Sequence, residues 1–302
     1  LTANDLAGDS ELYIFSDGPK PDATEEQKAA IEQVREVIRS AEGFKKVEIT
    51  EEPLNKGLAA SIIDGITQVI NEKGKIIVVE DDLILSRGFL KYMNDALTLY
   101  EDEEKVMHIS GYMFPLDIEM PETFFYNVTT CSGGWGTWKS CWDYLNTDSS
   151  FLKQELKRRN KLEEFNLNNH GDFLIQLDFN IKNLTNTWAI KWYASVFLTG
   201  GFCLHPEKSL SQNFGFDVFG TNTNENDRRI FHNKNVAQYI NVEKISLEES
   251  KFVRNAMQEF YDRNRGSKLK RWLYKNYTKS PLISNLFQLY YKKRKFLESK
   301  SI

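Results

Sequence analysis

The chain has 302 residues, 41% of them apolar and 27% charged, with a formal net charge of −4. That is enough for one large α/β domain or a domain with a smaller lobe, and no apolar run approaches the ~20 residues of a membrane-spanning helix. Cys131, Cys141 and Cys203 show no pairing motif, and His108, His170, His205 and His232 are scattered. A disulfide framework and a zinc motif are therefore both disfavoured, and a reducing cytoplasm fits.

In chain order, residues 11–16 (ELYIFS) read as a strand running into an Asp17-Gly18-Pro19 turn. Thr24 opens a helix over 24–41, with Ile31, Val34, Val37 and Ile38 at helical spacing. Residues 45–50 form a second strand. Asn55-Lys56-Gly57 is a turn, and 58–72 an amphipathic helix closed by Gly74. A strand over 75–80 follows, and Ser86 is expected to cap a helix over 87–100. This strand–helix alternation predicts a parallel sheet covered by helices, with ligands beyond the carboxyl ends of the strands. Farther on, 106–110 and 124–128 read as strands, 150–200 as mostly helical and 202–223 as irregular.

Four local features carry chemistry. Ile76 to Val79 run directly into Glu80, Asp81 and Asp82. Adjacent carboxylates repel unless a cation or donor lies among them, so these acids are candidates for holding Mg²⁺ or Mn²⁺ on a diphosphate. The competing reading is a strand ending in solvent. Asn55, Lys56 and Gly57 at a helix start could offer donors to a phosphate or a base, although the P-loop spacing is absent. Asp17 after a strand is a third feature, with a plain turn aspartate as the alternative. The fourth is the run from Cys131 to Trp142, with three glycines and three tryptophans between 133 and 142. Glycines permit close backbone approach, and tryptophan faces stack on sugars or on apolar groups.

Together, Ser-Asp-Gly after a strand, Asn-Lys-Gly-Leu-Ala, Val-Val-Glu-Asp-Asp-Leu and Gly-Gly-Trp-Gly resemble the GT-A nucleotide-sugar glycosyltransferases. The likeness is to bacterial family-2-like enzymes of surface-polysaccharide synthesis. It is more distant to animal N-acetylglucosaminyltransferases of N-glycan synthesis. It covers roughly residues 10–220. The resemblance implies a Rossmann-like, mostly parallel sheet flanked by helices over 1–240, and a helical basic-aromatic extension over 241–302. It also implies an opening strand that would lie ahead of Leu1. Asp17 would contact uracil or ribose, with Asn55 and Lys56 by the nucleotide. Glu80 and Asp81 would touch ribose and donor sugar, and Asp82 would bind Mn²⁺ or Mg²⁺. Gly133, Gly134 and Trp135 would line the donor-sugar and acceptor pocket. The expected activity is hexosyl or N-acetylhexosaminyl transfer from a UDP-sugar to a glycan or lipid-linked acceptor. The acid pair between tryptophans found in the animal enzymes is absent from Trp188-Ala-Ile-Lys-Trp192. Asp178, His205 and Asp217 are therefore the candidates for the base, and His205 or Asp217 could instead be a second metal ligand.

Trp188, Trp192, Tyr193 and Phe197 recur at helical spacing and are expected to face a core. From Gly266 to Ile302 ten basic residues stand against one acid, Glu298. That segment carries +9, so the rest carries −13. The mixture of basic and aromatic residues over 267–297 suggests contact with an anionic membrane surface, with the enzyme peripheral at the inner face. Nucleic acid is not expected as a partner, because the body is acidic, and the sequence does not give an oligomeric state. A nucleotidyltransferase and a non-catalytic scaffold are the rival functions.

Overall fold

The structure, a computed structural model, describes residues 1–214, 236–264, 268–278, 280, 282–287 and 289. The chain divides into two compact units. One comprises Leu1–Leu145 with Thr199–Glu249, and the other Asn146–Leu198 with Ser250–Ile302. This division differs from one drawn at residue 240, because the C-terminal helices group with an internal helical segment.

The first unit is α/β. Strand β1 (Glu11–Ser16) pairs in parallel with β2 (Lys46–Glu51). Helix α1 (Glu25–Arg39) joins them, opened by a Thr24–Gln27 capping box. No residue of α1 is buried, and Val34 and Val37 stay exposed. The apolar stripe that marked this helix is thus only partly covered, because it rests on a sheet of two strands. Helix α2 (Leu58–Lys73) buries Ile66, Val69 and Ile70, and ends at Gly74 in the left-handed region (φ 79°).

Strand β3 (Lys75–Val78) begins a five-stranded sheet. Its partners are β5 (Val106–Ser110), β6 (Thr123–Tyr126), β7 (Trp135–Trp138) and β8 (Phe202–Pro206). The spatial order is β3-β7-β5-β8-β6. Strands β3, β5 and β8 run one way, and β7 and β6 the other. The sheet is therefore mixed, where the alternation in the first half of the sequence predicted a mostly parallel one. Two of the differences are new strands. Gly-Gly-Trp-Gly runs into β7, and β8 lies within the stretch read as irregular. Two short strands, β4 (Leu83–Leu85) and β9 (Ser211–Asn213), pair antiparallel with Leu83 opposite Asn213.

Helix α3 (Phe89–Leu99) packs on this sheet through Phe89, Met93, Ala96 and Leu97, all buried. Its cap is not Ser86. The helix starts after Gly88, and the Leu90 amide donates instead to Oδ1 of Asn4 at 3.0 Å. A Cβ at Gly88 would fall 2.5 Å from the Gln238 carbonyl, so close chain passage explains that glycine. The short helix α4 (Lys139–Trp142) follows β7.

The second unit is helical, with α5 (Ser149–Arg158), α6 (Leu162–Phe165), α7 (Phe173–Ile181), α8 (Trp188–Thr199), α9 (Lys251–Asn264) and α10 (Lys268–Lys275). Its core is aromatic. Phe165 stacks on Tyr193 at 4.5 Å, and Phe173 meets Tyr193 edge-on at 4.8 Å. Trp188, Trp192 and Tyr193 are buried, as their spacing predicts. Among the described residues, no helix is long and apolar enough to cross a membrane.

Candidate functional site

The sequence candidates in the first unit gather into two groups. The first surrounds the start of α2. Asp17 directs its carboxylate at the turn before the helix. Oδ1 accepts from the Lys56 amide at 2.8 Å, and Oδ2 from the Gly57 amide at 3.1 Å. The Asn55 side chain donates to the Gly18 carbonyl at 3.2 Å. Gly18 is fixed by crowding, since a Cβ there would lie 2.5 Å from the Leu54 amide nitrogen. Asp17, Asn55 and Lys56 therefore form one bonded corner between β1 and α2. Lys56 Nζ contacts Glu52 at 2.6 Å and Asp64 at 3.7 Å, and these pairings raise its pKa.

The second group lies beyond β3. Asp81 is exposed, while Glu80 and Asp82 are partly buried. β3 ends at Val78, and Asp81 and Asp82 form the turn that leads into β4. Burial, then the Asp82 charge, then that of Asp81 push the Glu80 pKa up to about 7. The Asp82 pKa is also raised, chiefly by burial, although a hydrogen bond from Asn213 opposes the shift.

That bond is the feature hidden from sequence reading. Asn213 Nδ2 donates to Asp82 Oδ2 at 3.1 Å and to the Ser132 carbonyl at 3.2 Å. The β4–β9 pairing sets it there, since Asn213 lies opposite Leu83, the residue after Asp82. No local pattern in the sequence marks it. The other carboxylate oxygen of Asp82, Oδ1, is buried and has no hydrogen-bond partner. A buried, unpaired carboxylate oxygen is costly unless protonated or met by a cation.

Gly133 and Gly134 flank this group, but for packing reasons. A Cβ on Gly133 would lie 2.2 Å from the Tyr112 Cβ. Ser211 Oγ donates to the Gly133 carbonyl at 2.6 Å. Gly134 has φ 76°, and a Cβ there would fall 2.6 Å from the ring of Phe89, which is wholly buried. Gly134→Ala is expected to cost about 3 kcal/mol, combining left-handed strain with an overpacked ring. Urea unfolding of the variant against the parent measures it.

Trp135 is not a pocket wall. It is fully buried in β7, stacks on His108 at 5.0 Å and meets Trp142 at 6.1 Å. Of the candidate bases, His205 sits on β8, between β5 and the edge strand β6, and is wholly buried. Its Nε2 is 2.9 Å from the Val128 carbonyl, and its ring stacks on Phe124. Burial lowers its pKa to about 4. Such a ring is a neutral core histidine. Asp178 belongs to the helical unit. Its Oδ2 accepts from the Tyr277 hydroxyl at 2.7 Å, and its Oδ1 pairs with Lys153. Asp217 lies outside the described residues.

The residues present fit a divalent cation in one respect and limit it in another. Asp82 Oδ1 is a buried anionic oxygen in want of a partner. Among the described residues, however, no cluster of three or more histidine, cysteine or acidic side chains could hold a metal alone. Mg²⁺ and Mn²⁺ can be held by one or two carboxylates together with substrate phosphates, so the arrangement suits a cation that arrives with its diphosphate. No protein-family model matches the chain, and neither does any curated protein.

Proposed function

We propose that this chain is a metal-dependent glycosyltransferase of GT-A type, moving a sugar from a UDP-sugar to a glycan or lipid-linked acceptor. The observation that carries the reading is the orphaned Oδ1 of Asp82, in the turn that follows the carboxyl end of β3 and two residues from a carboxyl group with a raised pKa. Carboxyl ends of strands in α/β sheets are where nucleotides bind.

In this reading Asp82 would hold Mn²⁺ or Mg²⁺ through Oδ1, and such an ion would supply positive charge against a leaving diphosphate. Asn213 keeps Oδ2 occupied and leaves Oδ1 as the carboxylate oxygen without a partner. Ser132 in turn fixes Asn213, linking the carboxylate to the 131–134 loop. Glu80, whose pKa burial raises, would hydrogen-bond a sugar or ribose hydroxyl. Asp17 braces the turn before α2, which supports the view that it orders a nucleotide-facing loop through main-chain amides.

Calorimetric titration with UDP, GDP, CMP and dTDP, each with and without Mn²⁺, tests the reading. UDP should bind, and binding should require the metal. Metal-independent binding would remove the role given to Asp82. Absence of binding by any of the four would favour a non-catalytic scaffold. Release of diphosphate from a nucleoside triphosphate and a sugar phosphate would instead indicate a nucleotidyltransferase.

A further inference from the structure

The C-terminal helices of the second unit hold some aromatic residues inward and present other apolar residues outward. Tyr277 and Phe287 are buried, with Phe287 meeting Tyr274 at 4.8 Å and Tyr277 at 5.8 Å. Tyr277 also donates to Asp178, Thr278 bonds Asn169 at 2.9 Å, and Lys275 pairs with Asp262 at 3.1 Å. These contacts anchor α10 and the helical turns at 282–287 to their own unit. Five large apolar side chains nevertheless remain outside. Leu269, Trp272, Leu282, Leu286 and Leu289 are between 53 and 75% exposed. Leu282 and Leu286 lie four residues apart, and Leu269 and Trp272 three apart, so each pair shares one helix face.

The charge of the same stretch selects among occupants. Lys268, Lys270, Arg271, Lys275 and Lys279 fall within it, and no acid occurs between Gly266 and Leu297. A second copy of this face would bring like charges together across a two-fold axis. A nucleic acid would match the charge but offers little to four exposed leucines. An anionic lipid surface meets both demands, with acyl chains for the leucines, headgroups for the lysines and an interfacial seat for Trp272.

We propose that the exposed apolar side chains of α10 (Leu269, Trp272) and of the helical turns after it (Leu282, Leu286), with Leu289, dock on anionic phospholipid bilayers. The proposal stands independently of the transferase reading. Full-length chain would be sedimented with phosphatidylcholine vesicles and with vesicles also containing phosphatidylglycerol. Binding to the anionic vesicles should be at least tenfold tighter, and should weaken as salt rises. The double variant Leu282→Glu/Leu286→Glu should lose at least tenfold, and Lys268→Gln/Lys270→Gln should lose the preference for anionic lipid. Both variants are checked for parental thermal unfolding. Should either pair unfold the protein, the single exposed change Leu282→Ser replaces it and should still weaken binding severalfold.

Equal binding to neutral and anionic vesicles would overturn the proposal, as would binding by neither. Heparin affinity unaffected by the leucine changes, without vesicle binding, would reassign the face to soluble polyanions. A concentration-dependent dimer lost in the leucine variants, again without vesicle binding, would assign it to a second copy.

Discussion

Asp82→Asn should abolish metal-dependent nucleotide binding while leaving the protein as stable as the parent or more so. The amide is isosteric, and with its oxygen in the place of Asp82 Oδ2 it can still accept from Asn213, so the link to the Ser132 carbonyl survives. What disappears is the charge. A neutral amide oxygen is a weak ligand for a hard divalent cation that must also balance a diphosphate. A loss of about a hundred-fold or more in affinity, roughly 3 kcal/mol, is the expected scale. Stability should move the other way, because burial, and to a lesser extent the Asp81 charge, already raise the Asp82 pKa. Removing the charge relieves that strain, as happens when functional groups are held in unfavourable settings. The Glu80 pKa should fall from about 7, but only in part, since burial is its largest cause and Asp82 the second. Calorimetry with UDP and Mn²⁺, urea unfolding and NMR titration of Glu80 read the three effects separately. Parental metal-dependent binding by the variant would dismiss the metal assignment.

What could be read from the sequence follows from where periodicity exists. Helices α1 and α2 and strands β1, β2 and β5 lie within a residue or two of their expected bounds. Their signals are local, arising from caps, turns and spacing. Strands β7 and β8 carry no such signal. Both lie inside the sheet between two neighbours, with β7 buried throughout and β8 nearly so, which removes the alternation that marks a half-buried strand. The glycines and tryptophans of β7 also imitate a ligand loop. In the structure Gly133 makes room for Tyr112, Gly134 for Phe89, and Trp135 packs on His108. The acids at 80–82 were legible because three carboxylates after an apolar strand are anomalous wherever the strand lies. Asn213 was not, since it reaches Asp82 only through the pairing of two three-residue strands far apart in sequence.

Acid should destabilise the first unit through two buried imidazoles, with a slope that can be computed in advance. Burial lowers the pKa of His205 to about 4, and burial together with His205 lowers that of His108 to about 3. In the unfolded chain both titrate near 6.5. Their contribution is complete above pH 6.5 and is lost as pH falls toward the folded values, because the unfolded state then binds the extra protons. Glu80 acts in the opposite sense. Its raised pKa means that the folded state holds a proton between about 4.5 and 7 that the unfolded state has released. Between pH 6.5 and 4.5, two histidines against one carboxyl leave a net difference of about one proton. Stability should therefore fall by roughly 1.4 kcal/mol per pH unit in that window. Near pH 4.5 Glu80 ceases to oppose, but His205 then begins to bind its proton in the folded state, so the slope should hold rather than steepen. His205→Gln retains a donor for the Val128 carbonyl but cannot bind the proton. Its stability should be nearly flat from pH 6.5 to 4.5, because His108 and Glu80 then cancel. Urea unfolding of both proteins across this range measures the difference. Parallel slopes for the two would mean that His205 is already accessible to protons in the native state.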